Sequence, residues 1–317
     1  MITKITYSTP CKVHLSGEHS VVHGEPALIS AVDLRLQFSI WEAKKTPKIR
    51  DQKIRDISAE VKNFLTQKEI TFEDKNFEYE ITSAIPQSVG LGSSASLAVA
   101  SSAAFLEFYA NKVFSLEEVN ECAYLIEKIF HGNPSGGDNS TVCFGGLIYF
   151  RKEFEFLKNI NRLPFAIPDS MSGNFYLVDS GKRVESTADL VGYVQDGLNE
   201  NPALFKKLFR DIGKTTKTLV LGFKEDREKL VTDTISRNES FLEKLGVVSE
   251  TAEKIIRELV PFGVGKISGA GGVSQGSGFI LFYSPGNKHQ KLEKYLVDHK
   301  IPFIKFKPDN LGLQRLS

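Results

Sequence analysis

Apolar and polar positions alternate along the first part of the chain. Ile2, Ile5 and Tyr7 open it in strand-like steps, and a second strand-like run covers residues 27–40. Phe77, Tyr79 and Ile81 alternate cleanly with polar neighbours, the pattern of a half-buried strand. Residues 42–56 are mostly charged and contain Pro47, which predicts an exposed turn or insertion. After the strand come Pro86, a glycine- and serine-rich stretch and a long Ala/Ser-rich helix. The period then lengthens: Val119, Cys122, Ala123, Ile126, Ile129 and Phe130 follow helical spacing. Ser115-Leu116-Glu117-Glu118 precedes them as a capping box, and Gly132 supplies the stop.

A strand-like run, Gly146 to Phe150, follows this helix. Composition turns loop-like over 161–174, with Pro164, Pro168 and Gly173, and the domain boundary is placed there, giving domains 1–170 and 171–317. The second half opens with strand-like Phe175 to Val178 and continues through polar helices. It closes on the glycine-rich run from Lys266, a strand from Phe279 to Tyr283 and a helix near 287–299. No repeat or low-complexity tract is visible. The order of elements predicts a mixed α+β protein.

Composition narrows the functional classes. Hydrophobic residues make up 41% and charged residues 25% of the 317 positions, the profile of a globular protein long enough for two domains. Forty Lys and Arg against 39 Asp and Glu leave a net charge of +1. No overall basic field exists to attract nucleic acid or an anionic membrane, so any phosphate recognition must be local. Cys11, Cys122 and Cys143 are widely spaced and form no C-x-x-C pattern, which suits buried thiols in a reducing compartment. The N-terminal stretch lacks an apolar signal-peptide core of about 7–15 residues. Ala95 to Leu106 is too short and serine-rich to span a bilayer. A cytoplasmic enzyme is expected.

The strand-to-helix junction carries the first chemistry. Gly90-Leu91-Gly92-Ser93-Ser94-Ala95-Ser96 follows Pro86 and Gln87-Ser88-Val89. Glycines let backbone amides approach a ligand closely. The unpaired amides and macrodipole at a helix start attract anions. On these residues alone the segment reads also as a tight turn whose serines cap the helix. Other phosphate motifs fail. Gly213-Lys214-Thr215 lacks the first glycine of a Walker loop, because Leu208 stands there. Gly90-x-Gly92-x-x-Ala95 has no acidic residue about 20 positions on after a second strand, which excludes a dinucleotide fingerprint.

Further segments hold polar residues that a fold alone does not require. Pro10-Cys11-Lys12-Val13-His14-Leu15-Ser16-Gly17-Glu18-His19 sets Lys, Glu and His beside an apolar strand, with Val21-Val22-His23-Gly24 continuing it. Glu127 ends the capped helix, and His131-Gly132-Asn133-Pro134-Ser135-Gly136-Gly137-Asp138-Asn139 follows at once. Lys266-Ile267-Ser268-Gly269-Ala270-Gly271-Gly272 is a second glycine-rich loop. Together these segments resemble the GHMP kinases and, within that superfamily, the mevalonate kinase branch. The first is similar to P-G-K-x-x-x-x-G-E-H, Pro86 to Ala95 to P-x-x-x-G-L-G-S-S-A, and the last to K-x-[ST]-G-A-G-G. Cys11 replaces the usual glycine, and Val273-Ser274-Gln275-Gly276 departs from the usual glycine and cysteine.

The resemblance implies an α+β GHMP kinase fold. Its N-terminal domain would be ribosomal-protein-S5-domain-2-like and its C-terminal domain ferredoxin-like. The implied activity is ATP-dependent phosphorylation of (R)-mevalonate to 5-phosphomevalonate, with Mg2+. Another GHMP kinase acting on phosphomevalonate, the mevalonate 3-hydroxyl or a sugar is the nearer alternative; an inactive ligand sensor is the more distant one. By resemblance Asp138 orients or deprotonates the substrate hydroxyl and Lys12 counters charge. Ser94 and Glu127 hold Mg2+. Pro86, Gly90, Leu91, Gly92, Ser93, Ser94, Ala95 and Ser96 face ATP, with Gly269, Ala270 and Gly271 opposite. Glu18, His19, Lys182, Arg183 and Thr187 are the substrate contacts. His14 and His23 read equally as site residues or packed histidines, and His131 as a ligand contact or a helix cap. Monomer and homodimer both stay open.

Overall fold

The structure is a computed structural model and describes residues 4–44, 49–86, 90–132, 134–154 and 157–317. Ile2, Pro47, Gln87, Ser88, Val89 and Asn133, used in the sequence reading, lie outside the described residues. The first half runs β1 (Ile5–Ser16), β2 (Ala27–Glu42), α1 (Gln52–Gln67), β3 (Phe77–Ser83), α2 (Ser93–Ala110), α3 (Leu116–His131), α4 (Gly137–Phe144), β4 (Leu147–Lys152) and β5 (Lys158–Arg162). The second half runs α5 (Asp169–Ser172), β6 (Phe175–Asp179), α6 (Thr187–Glu200), α7 (Pro202–Lys224), α8 (Glu228–Leu245), α9 (Glu250–Leu259), β7 (Val264–Ile267), β8 (Phe279–Tyr283), α10 (His289–Asp298), β9 (Phe303–Phe306) and β10 (Gln314–Arg315). Among the described residues no helix is long and apolar enough to cross a membrane.

The strands form a six-stranded sheet, ordered β10-β1-β2-β4-β5 with β3 also on β2, and a four-stranded sheet, ordered β7-β8-β6-β9. The chain passes from the first sheet to the second between β5 and β6. Residues beyond 306 then turn back: Val32 bridges Pro308, and Tyr7 pairs with Arg315 across β1 and β10. Arg315 also grips Glu107 of α2, donating from Nη2 at 2.8 Å and from Nε at 2.9 Å. The C-terminus therefore belongs to the first sheet, which no local pattern in the sequence announces.

Residues 42–56 were expected to be a turn or insertion. The helix α1 begins within that span, capped by the Asp51 carboxylate, which accepts from the Lys53 amide at 2.9 Å. Its buried face is Ile54, Ile57, Val61, Phe64 and Leu65, a helical period that starts inside the charged stretch. The charges lie on the opposite, solvent-facing side.

The helix α2 is buried nearly all round, from Ala95 through Tyr109. Small side chains make that burial possible, because they let the helix approach both β1 and α3 without clashes. In the second sheet, alternation separates the layers. Phe175 and Leu177 of β6 enter a core shared with the first half, whereas Tyr176 and Val178 enter a second core under α6 to α10. The shared core joins the halves through packed side chains.

Phe105 belongs to that shared core and has no exposed surface; its ring centroid lies 4.8 Å from that of Phe77, edge-on, and 5.6 Å from that of Phe38. Phe105→Ala should lower the unfolding free energy by about 3–5 kcal/mol, read as a shift of the urea midpoint at constant slope.

Candidate active site

Residues two apart on a strand point the same way, so Lys12 and His14 project from one face of β1. Both meet Asp138, in the first turn of α4. Lys12 Nζ lies 3.0 Å from Asp138 Oδ2, and His14 Nε2 lies 3.6 Å from Asp138 Oδ1. Lys12 is almost wholly buried, whereas about a third of the Asp138 side chain (36%) remains open. Burial alone would raise the Asp138 carboxyl, but the Lys12 ammonium and His14 outweigh it and hold the group well below the usual carboxylate range. Asp138 is thus a fixed anion, and the start of α4 favours a negative charge there.

The loop before α2 is built against the same lysine. The Lys12 amide donates to the Leu91 carbonyl at 3.0 Å. Gly92 has φ +75°, and a Cβ there would stand 2.7 Å from Lys12 Cγ. Only glycine fits this approach. Ser94, just inside α2, donates to Glu127 from the last turn of α3. His131 Nε2 is 2.8 Å from the same hydroxyl. Burial pushes the Glu127 carboxyl up, partly offset by the Ser94 hydroxyl and by His131. A buried carboxylate beside a hydroxyl, at a helix end that disfavours its charge, is an oxygen pair suited to a hard divalent cation such as Mg2+.

Ser93 is half-buried at the helix start. Leu91 and Ala95 are buried, and Pro86 is half-buried. Ser96 departs from its expected phosphate role. Its hydroxyl is fully buried and donates to the Pro10 carbonyl at 2.7 Å, while its amide donates to the Gly92 carbonyl at 2.9 Å. It fastens the loop to β1 and has no free donor for a ligand.

The loop after β7 closes on the same strand. Gly271 has φ +72°, and a Cβ there would meet the Val247 carbonyl at 2.0 Å. Ser268 Oγ donates to the His14 carbonyl at 3.3 Å. His19 Nε2 is 2.9 Å from the Ala270 carbonyl. Gly269 to Gly271 are therefore brought to the Pro10–His19 segment, although some 250 positions separate them in sequence.

Glu18 and His19, the expected substrate contacts, each bind within the protein through one polar atom and keep one buried atom, Glu18 Oε2 and His19 Nδ1, without a protein partner among the described residues. The Glu18 carboxylate is buried against Lys266, with Nζ to Oε1 at 2.5 Å. His19 meets the Ala270 carbonyl through Nε2 alone, and burial lowers its pKa. The pair occupies Glu18 Oε1 and leaves Oε2 without a protein hydrogen-bond partner among the described residues. Of the remaining substrate candidates, Lys182 and Thr187 are exposed, and Arg183 is half-buried and donates to Thr187 Oγ1 at 3.2 Å. Burial lowers the Arg183 pKa, and its charge adds to the lowering at His19, which puts the guanidinium within electrostatic reach of the first segment.

Sequence reasoning left three members of the cluster without an assigned role. His14 reads in sequence equally as a packed or a site histidine, and its offset of two from Lys12 is the usable signal. His23 does pack, stacked on Phe209 at 4.1 Å. Lys266 was visible only as the start of a loop. Glu239 of α8 gave no signal; it is buried and accepts the Ile267 amide at 2.8 Å.

A nest of glycine loops around a Lys–Asp pair, on this pair of sheets, is the architecture of a GHMP kinase, and residues 57–146 match the GHMP kinases N terminal domain. The mevalonate kinase of Methanocaldococcus jannaschii is 32% identical over 323 residues, 91% of this chain and 94% of its own. That of Pyrococcus horikoshii is 29% identical, with 96% of each chain covered. The solved structure of L. major mevalonate kinase in complex with R-mevalonate shares the fold, at a TM-score of 0.78 and 23% identity over 97% of each chain. The chain belongs to the mevalonate kinase family.

Gly92→Ala should lower kcat/KM for ATP by at least about 10-fold, since a methyl group must displace Lys12 from Asp138; steady-state kinetics at saturating alcohol would check it. Burial also holds the Glu239 carboxyl up at about 8, against an ordinary value of 4.5. Between these values the folded protein keeps a proton that the unfolded chain releases, so this group makes stability fall as pH rises. Glu239→Gln should flatten the decline of melting temperature between pH 5 and pH 8, followed by calorimetry.

Proposed function

We propose that the protein transfers the γ-phosphate of ATP to the 5-hydroxyl of (R)-mevalonate, giving 5-phosphomevalonate and ADP for isoprenoid synthesis. The observation that carries this reading is the Lys12–Asp138 pair at 3.0 Å, set behind the Gly90–Ser94 loop. The mevalonate kinase relatives, matched over most of both chains, support the choice of alcohol.

Phosphoryl transfer asks a protein for positioning and charge compensation more than for covalent chemistry. The amides at the start of α2, with Gly90 to Ser93, cradle the phosphates, and Gly269 to Gly271 press from the other lobe. Ser94 and Glu127 would hold Mg2+, which when bound neutralises charge on the β- and γ-phosphate oxygens. Asp138 accepts a hydrogen bond from the substrate hydroxyl and aims its oxygen at the γ-phosphorus. A carboxylate held so far below its ordinary pKa is a weak base, so it takes the proton late. Its affinity for the proton suffices only as the new P–O bond forms and acidifies the hydroxyl. The bond to the β-phosphate oxygen breaks with its electron pair leaving on ADP. Lys12 keeps Asp138 ionised and faces the charge that develops.

Mevalonate also carries a carboxylate. Arg183, half-buried and bonded to the neutral Thr187 hydroxyl, is its partner in this reading, because a guanidinium binds carboxylates in bidentate fashion. The thiols of Cys11, Cys122 and Cys143 are free and buried, which suits a reducing cytoplasm.

Asp138→Asn should lose at least about 10²-fold in kcat with nucleotide affinity retained, measured by coupled ADP release beside calorimetric titration. Near-normal turnover would remove Asp138 from its role. Arg183→Gln should raise KM for mevalonate about 10-fold or more and leave KM for ATP unchanged. In an ADP-release panel of mevalonate, phosphomevalonate and sugars, turnover confined to a sugar would overturn the choice of substrate.

A further inference from the structure

The residue between the two lobes that stands out is a lysine with no exposed surface. Lys266 Nζ donates to Glu18 Oε1 at 2.5 Å and to the Ile267 carbonyl at 2.7 Å, and lies 3.4 Å from the His14 carbonyl. Glu18 follows β1 in the first lobe; Lys266 is the next-to-last residue of β7 in the second. The next residue is fixed just as fully. The Ile267 amide donates to Glu239 of α8 at 2.8 Å, while its carbonyl accepts from Lys266. From that point the chain enters Ser268 to Gly271.

We infer that Lys266 is a positioning residue for phosphoryl transfer, acting through its ion pair with Glu18 to seat the Ser268–Gly271 loop on the β1 segment that carries Lys12 and His14. The inference rests on the reading of this cleft as the nucleotide site. A buried ion pair is poor value for stability alone, because desolvation of both charges consumes most of the attraction. Its geometry, however, is strict. Two hydrophobic side chains in its place would pack at a range of separations; an ammonium pinned by carboxylate and carbonyls permits little variation. The His14 carbonyl accepts from Ser268 and lies beside Lys266 Nζ, and the His14 side chain meets Asp138. A shift of the loop is thereby transmitted to the reacting end of the site. The charge count also closes. Lys266 faces Glu18 from the β1 side and Glu239 from α8, with Glu243 acting on Glu239 from the same helix. Glu239 held protonated near neutral pH leaves one cation against one anion.

The test compares Glu18→Gln, Lys266→Met and the double variant, each assayed well below its measured melting temperature. Titration with ADP alone reports the loop, and mevalonate turnover reports the chemistry. The expected result is at least a 10-fold loss of ADP affinity in Glu18→Gln and in the double variant, with kcat reduced and KM for mevalonate moved little. The double variant should melt higher than Lys266→Met, because it strands no charge, without regaining ADP affinity. Folded Glu18→Gln and double variants with ADP affinity and kcat within twofold of the parent would overturn the inference. So would a rise confined to KM for mevalonate, which would return Glu18 to the substrate. If Lys266→Met fails to fold, the Glu18→Gln result decides alone. Failure of the parent protein to bind ADP would instead sink the reading of the nucleotide site.

Discussion

Lys12 has to be neutralised where it stands. It lies on a strand buried along most of its length, between α2 and the second lobe, with almost no access to water. An unpaired ammonium in such a place costs several kcal/mol. Asp138 supplies the countercharge, so α4 must begin where it does. The amide of Lys12 must also be satisfied, and the Leu91 carbonyl does this, which draws the glycine loop onto the strand. A single buried cation thus organises the strand, the loop and the acid at once.

Close approach in this site depends on what is missing from side chains. Gly92 leaves room for the stem of Lys12, and Gly271 for the Val247 carbonyl. The alanines and serines of α2 let a helix with few charges lie against β1 and α3 together. Ser96, with its hydroxyl on the Pro10 carbonyl, shows how the serines are used within the core. Some satisfy backbone groups inside, and Ser94 alone among those bonded here reaches a carboxylate at the cleft. The departure at Cys11 fits this arrangement, since the thiol has no exposure and faces the core, away from Lys12's partner.

Legibility in the sequence followed distance along the chain. The capping box at Ser115 appears as expected, with Ser115 and Glu118 bonded reciprocally. The alternation at 77–81 appears as β3. The start of α1 was concealed because charged residues outnumber apolar ones over 42–56, and the apolar face emerges only when the period is counted past Ile54. Glu18 and His19 each hold another segment of the protein through one polar atom, Lys266 and the Ala270 carbonyl respectively. Motif residues that hold two loops together and residues that touch ligand look alike in sequence, since both need polar groups beside glycines.

The sequence by itself determined the local pieces: the amphipathic helices, the alternating strands, the loop of glycines before a helix and the set of polar residues around them. These depend on neighbours a few positions apart, where spacing and conformational preference act directly. Tertiary structure alone decided which of those polar residues face each other. Lys12 finds Asp138 across 126 positions, the difference of their numbers, and Lys266 finds Glu18 across 248. Glu239, with nothing local to mark it, has its carboxyl pushed up chiefly by burial. Pairings of that span are set by how two sheets share one core, and a buried charge reveals its partner only when the chain has closed around it.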